Sequence, residues 1–135
     1  MKRNIKFRFW NTVINTMSKW EQVKREFRFG ALETDPYIPM LFTGLHDKSG
    51  NEIYEGDILE HDNGLKHSVI WMEQLGGFYL QQPNTQRGKE IISCAASKVA
   101  NEPMLLFKEA IIGNIYENPK LLYTKKAQLP DPKVE

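Results

Sequence analysis

The chain has 135 residues, 41% of them hydrophobic, and its 18 basic and 17 acidic side chains leave a net charge of only +1. That length suits one domain with a core of its own, and the single cysteine, Cys94, excludes an intramolecular disulfide and points to a reducing compartment. No run approaches the ~18 apolar residues of a membrane helix, and Met1-Lys-Arg-Asn-Ile-Lys-Phe-Arg8 lacks the apolar stretch of a secretory signal, so the sequence reads as a cytoplasmic protein with no membrane partner.

At the start, Ile5, Phe7 and Phe9 alternate with Lys6 and Arg8, the period of two that one buried face imposes on a strand. The aromatics then face a core, while Lys6, Arg8 and Trp10, on the opposite parity, emerge on a basic face. Asn11 turns the chain into a second strand over Val13 to Met17. Ser18-Lys-Trp-Glu21 has capping-box spacing, but Val23, Phe27 and Phe29 also fit alternation, and this segment is read as strand. Asp35-Pro36-Tyr37-Ile38-Pro39 predicts an extended connector, because proline restricts the residue before it.

A strand over Met40 to Thr43 leads to the turn Asp47-Lys-Ser-Gly50, and two further strands cover Glu52 to Tyr54 and Asp57 to Glu60. Asn63-Gly64 predicts a two-residue type I′ hairpin that sets His61 opposite Lys66, Glu60 opposite His67 and Ile58 opposite Val69. A second hairpin joins Val69 to Met72 with Phe78 to Gln81. A polar loop over Pro83 to Gly88, a strand over Ile91 to Cys94 and a connection with a helical turn over Ala95 to Glu102 follow. After the apolar Met104 to Phe107, a last strand runs from Glu109 to Tyr116, and a polar, proline-containing tail ends the chain. On this reading both Ile-Tyr-Glu segments, Ile53-Tyr54-Glu55 and Ile115-Tyr116-Glu117, lie on strands that run into turns.

Short strands punctuated by glycine turns predict a mainly β protein: a basic N-terminal β extension over 1–39, a small barrel over 40–122 and a flexible tail over 123–135. Three stretches carry a family resemblance: Ile5-Lys-Phe-Arg-Phe-Trp10, Phe42-Thr-Gly-Leu-His-Asp-Lys-Ser-Gly-Asn-Glu-Ile-Tyr-Glu-Gly-Asp-Ile58 and Ile112-Gly-Asn-Ile-Tyr-Glu-Asn-Pro119. Together they resemble the YopX family, encoded largely by bacteriophages, prophages and other mobile elements of bacteria. The resemblance implies an SH3-like barrel and a bacterial cytoplasmic setting, and it carries over no catalytic residues. The segment from Lys19 to Pro39 is longer and more basic than the usual family connector.

Metal and catalytic readings find little support. The predicted hairpin register sends His61 and His67 to opposite faces, which leaves His46, His61 and His67 as surface histidines and Glu60 and His67 as a weak ion pair. Asp57, following Gly56, suits a turn in which its carboxylate accepts backbone N–H groups, with Glu55 and Glu60 solvated. Cys94, in apolar company, reads as a small buried hydrophobe. No catalytic triad order, phosphate-cradling loop or zinc spacing is present, so the expectation is a protein that is not an enzyme and needs no cofactor or metal.

The charge distribution carries the functional hint. Residues 1–30 hold eight basic and two acidic residues, a net +6, and the other 105 hold ten basic and fifteen acidic, a net −5. A nucleic-acid-binding module would set Lys2, Arg3, Lys6, Arg8, Lys24 and Arg25 against phosphates, with Trp10 as a stacking platform. A protein-interaction module would dock the same basic arm on the acidic body of a second copy, giving a homo-oligomer, or on an acidic host or phage protein.

Overall fold

A computed structural model describes residues 4–82, 88–90 and 109–122. Among the described residues nine short strands build two antiparallel sheets. The first sheet holds β1 (Phe7–Asn11), β2 (Thr16–Ser18), β3 (Tyr37–His46) and β4 (Glu52–Tyr54), in the order β2-β1-β3-β4. The second holds β5 (Asp57–Glu60), β6 (Lys66–Met72), β7 (Gly77–Gln81), β8 (Gly88–Glu90) and β9 (Ala110–Asn114), in the order β8-β7-β6-β5-β9, and one of the two sheets curls into a half-barrel. One helix, α1 (Trp20–Glu26), and 3-10 turns at Phe29–Leu32 and Pro119–Leu122 complete the described fold.

The strands at Glu52–Tyr54 and Asp57–Glu60 stand where the sequence puts them, and the expected β6–β7 hairpin forms, with Trp71 opposite Phe78 and Val69 opposite Leu80. The main core gathers Leu45, Ile53, Leu59, Val69 and Leu80 from five strands, with Phe78 and Ile111 packed against it. Asp47 closes the β3–β4 turn: its Oδ1 accepts the N–H groups of Ser49 at 2.9 Å and Asn51 at 2.8 Å. Its Oδ2 takes the N–H of Ile111 at 3.0 Å, so one buried carboxylate ties that turn to β9. Burial alone raises the Asp47 pKa, but these donors outweigh it and hold the carboxyl below the usual aspartate value.

Four expectations are corrected. Residues 20–26 form a helix rather than a strand, because Val23 and Phe27, four apart, share one helical face. Val23 is buried, and Phe27 meets Phe9 edge-on at 4.8 Å and Tyr37 at 5.0 Å. The proline-flanked connector is the first part of β3, with Pro39 opposite Phe9. β1 pairs with β3 only over 37–41 and β4 only over 42–46, on the other side, so Pro39 has a strand on one side only and its missing N–H is tolerated. Strand β3 runs unbroken across residues 39 and 40.

The Asn63-Gly64 hairpin has a three-residue loop, Asp62 to Gly64, closed by His61 N–H to Leu65 O at 2.8 Å, with Gly64 at φ +90°. The register therefore slips by one residue, and a slip of one exchanges the faces. Glu60 now faces Lys66, with an ion pair at 3.2 Å, and Ile58 faces Ser68. His67, opposite Leu59, is buried with Glu109 Oε2 at 3.6 Å from its Nδ1, and neither His46 nor His61 is fully exposed. Among the described residues, no three His, Cys, Asp or Glu side chains converge as a metal site would require.

Finally, Ile115-Tyr116-Glu117 is a turn after β9, because Asn114 Oδ1 accepts the N–H groups of Tyr116 at 3.0 Å and Glu117 at 2.8 Å. Strand β8 was not anticipated. The expected loop over 83–87, the strand with Cys94, the segments over 95–107 and the tail from 123 lie outside the described residues.

Candidate functional site

The basic parity of β1 and the Tyr54-Glu55-Gly56-Asp57 turn prove to be two halves of one joint. Arg8 Nη2 lies 2.9 Å from Asp57 Oδ1 and donates to the Glu55 carbonyl at 3.1 Å, while its guanidinium carbon sits 5.0 Å from the centre of the Tyr54 ring. Asp57 Oδ2 accepts the Tyr54 N–H at 2.7 Å, which folds the turn around the same carboxylate. Gly56, at φ +91°, makes room for this approach: a Cβ there would stand 3.0 Å from Met40 Sδ and 3.6 Å from Arg8 Nη2. The Gly56 carbonyl receives the Ile115 N–H at 2.9 Å, so the second Ile-Tyr-Glu segment is fastened to the first.

The neighbouring positions of β1 complete the joint. Lys6 pairs with Glu52 and lies 5.6 Å from the centre of the Phe42 ring. Trp10, only 8% exposed, stacks on Tyr116 at 5.6 Å with 21° between the rings. Burial drives the electrostatics of this region. It pushes the Tyr54 phenol up to about 12, with Glu52 adding to the rise and Arg8 opposing it. Burial likewise raises the Asp57 carboxyl, which the charge of Arg8 only partly offsets, and the Glu55 carboxyl, against a backbone N–H from Leu41 and the Arg8 charge.

This placement changes the meaning of the basic arm. Lys6 and Arg8 do not occupy a free solvent face, since their side chains are 25% and 12% exposed and each has a carboxylate partner. Trp10 does not emerge, because Tyr116, in the turn after β9, stacks over it. Glu55 and Glu60 are half-buried rather than solvated. Lys24 and Arg25 are exposed on α1, where Lys24 pairs with Glu21 at 3.0 Å and Arg25 Nε donates to the Glu21 carbonyl at 2.9 Å. Lys2 and Arg3 lie outside the described residues. Lys6 and Arg8 share a groove of about 320 Å³ with Lys19 and Trp20, but Glu21 and Glu52 line it too.

The residues that stand free are different ones. At the far end of β1, the β1–β2 turn exposes Val13 (72%) and Ile14 (63%), and Phe29, in the 3-10 turn after α1, is 90% exposed. Ile14 also lines a groove of about 410 Å³ with Thr16 and Ser18 of β2, Glu26 of α1, Phe27 and Arg28. Arg28 is exposed and has no ion pair among the described residues. Sequence reasoning passed over Phe29 by counting it with Phe27. The available signal was helical spacing, which pairs Val23 with Phe27 and leaves Phe29 off that face.

A crystal structure of protein EF1440 from Enterococcus faecalis shares this fold, with a TM-score of 0.56 over 90% of this chain and 99% of that one, at 23% identity. No curated protein matches the sequence. The family model described as YopX protein matches residues 6–123, which takes in the joint, the exposed end and both Ile-Tyr-Glu segments, and the chain belongs to the YopX family.

Proposed function

We propose that this chain is a non-enzymatic binding module that docks a partner protein on the end formed by the β1–β2 turn, α1 and the 3-10 turn that follows it. The observation that carries the reading is Ile14, 63% exposed on a groove it lines, with Val13 (72%) and Phe29 (90%) each next in sequence to a lining residue, Ile14 and Arg28. Exposed apolar groups gain by leaving water when a partner covers them. The reading takes the barrel as SH3-like and the setting as the cytoplasm of a bacterium that carries a phage or another mobile element, as the family resemblance implies. The test replaces Phe29 or Ile14 with a photo-crosslinking phenylalanine analogue in cells. Discrete adducts from both positions, and none from Leu75 on the β6–β7 hairpin, which is about as exposed as Ile14, are expected. Equal labelling at all three sites overturns the proposal.

A second reading, nucleic-acid binding, draws support from the groove that Lys6, Arg8, Lys19 and Trp20 line, with Lys2, Arg3, Lys24 and Arg25 as further cations and Trp20 in the role first given to Trp10. It stands second because Glu52 and Asp57 already neutralise Lys6 and Arg8. Titration of labelled single- and double-stranded oligonucleotides against salt decides it: affinity that falls steeply with salt supports it, and no binding at low salt removes it.

A further inference from the structure

The exposed end also contains a sheet edge. β2 is the last strand of its sheet and pairs only with β1, through Phe9 and Ser18, Trp10 and Met17, and Asn11 and Thr16. Among the described residues its outer edge has no strand beside it. Proteins commonly protect such an edge with charge, proline or a cover. The opposite edge of the same sheet fits that pattern, since β4 carries Glu52 and runs into the turn clamped by Arg8. Thr16, Met17 and Ser18 carry no charge and no proline.

Directly paired residues share a face, so Ser18, Phe9 and Pro39 lie on one side of the sheet together with Thr16, Asn11 and Tyr37. The same side is covered by Phe27, which packs on Phe9 and Tyr37. Between that face and the helical segment lies the groove of about 410 Å³, with Thr16 and Ser18 on one wall and Glu26 and Arg28 on the other. An unpaired edge beside a helix-walled groove is the arrangement in which a peptide adds as a strand: main-chain hydrogen bonds supply affinity, and alternate side chains enter the groove.

The charges on the walls indicate what enters. Glu26 already accepts a hydrogen bond from Gln22 Nε2 at 3.2 Å, whereas Arg28 has no ion-pair partner among the described residues. We infer that β2 and this groove receive an extended segment of a partner protein, added as a fifth strand, with a carboxylate side chain placed against Arg28. The inference rests on the reading of this end as the docking surface and names its occupant.

The test is a selection of random twelve-residue displayed peptides against the full chain, followed by synthesis of the enriched sequences and amide NMR of the complex. Enriched peptides are expected to alternate apolar with other residues and to carry Asp or Glu. They should protect the amides of Thr16 to Ser18 from exchange. N-methylation at alternate peptide positions should weaken binding by tenfold or more, and Arg28→Glu, at an exposed and unpaired position, should do the same without changing the thermal midpoint. Peptides that bind equally after N-methylation and depend on Phe29 and Ile14 overturn strand addition while leaving the docking surface standing. No enrichment over a selection against an unrelated protein overturns the inference, and an absence of adducts at Phe29 and Ile14 then removes the surface as well.

Discussion

The two ends of β1 treat the same kinds of residue in opposite ways. At the Lys6–Arg8–Trp10 end, cations and an aromatic that read as a binding face are held inside the molecule by Glu52, Asp57 and Tyr116. At Val13 and Ile14, in the turn after β1, and at Phe29, apolar side chains that would ordinarily be hidden stand in water, and Arg28 has no ion-pair partner among the described residues. A cation–aromatic pattern marks a binding face only when nothing in the chain answers it. Here the rest of the chain answers the strand and leaves the turn that follows it.

The most direct way to break this contrast is to remove the carboxylate at the centre of the joint. Asp57→Ala leaves the Arg8 guanidinium buried without its partner and the Tyr54 N–H without its acceptor, and it should cost about 3–5 kcal/mol in urea unfolding. Replacing both ends of the pair, as Arg8→Met with Asp57→Leu, should recover most of that loss, because the desolvation cost disappears with the charges. A single variant as stable as the wild type would show that the joint is not what holds the sheets together.

Gly56→Ala probes the backbone of the same turn. The left-handed φ of +91° and the 3.0 Å approach to Met40 Sδ both oppose a side chain, so a loss of about 1–3 kcal/mol is expected in the same measurement. An equivalent change at Gly76, in the β6–β7 turn, meets no atom within 4 Å and bears only the conformational part of that cost.

Acid separates two buried aspartates by sign. Asp57 has a raised pKa, so between 3.8 and its folded value the native state keeps a proton that the unfolded chain releases, and its contribution to stability grows as pH falls through that window. Asp47 has a lowered pKa, so its contribution is complete above 3.8 and is lost as pH falls through the folded value. Urea midpoints from pH 6 to pH 2 should therefore fall less steeply for Asp47→Asn than for the wild type, and more steeply for Asp57→Asn. Parallel curves would refute both assignments. Lys6→Ala, which removes a half-exposed pair, should cost no more than ~1 kcal/mol and less still in high salt.

Much of the barrel was legible because its signals are local. The alternation of β4 and β5, the Asp47–Gly50 turn and the β6–β7 hairpin each fit within a few residues, and the structure follows them. The site was less legible, because alternation reports which residues share a face and not what lies over it. Lys6, Arg8 and Trp10 share one parity, but nothing within residues 5–10 shows that Glu52, Asp57 and Tyr116, far along the chain, answer them. The hairpin failed for a related reason: Asn63-Gly64 suits a two-residue turn, yet Gly64 also serves as the left-handed residue of a three-residue loop, and that choice decides whether His67 is buried.

The smallest expected effect on stability sharpens the contrast most. Phe29→Ser removes an aromatic ring that is 90% exposed, so the folded state loses almost no buried area, and its unfolding free energy should stay within about 0.5 kcal/mol of the wild type. Ile14→Ser, at 63% exposure, should behave in nearly the same way. If this end is a docking surface, both changes weaken partner capture although the fold does not register them, whereas Asp57→Ala weakens capture only in proportion to the protein it unfolds. Capture measured against folded fraction, by circular dichroism on the same samples, tells the two apart. Variants at Phe29 and Ile14 fall below the line that destabilised joint variants follow, and if all of them lie on one line, the exposed end contributes nothing of its own.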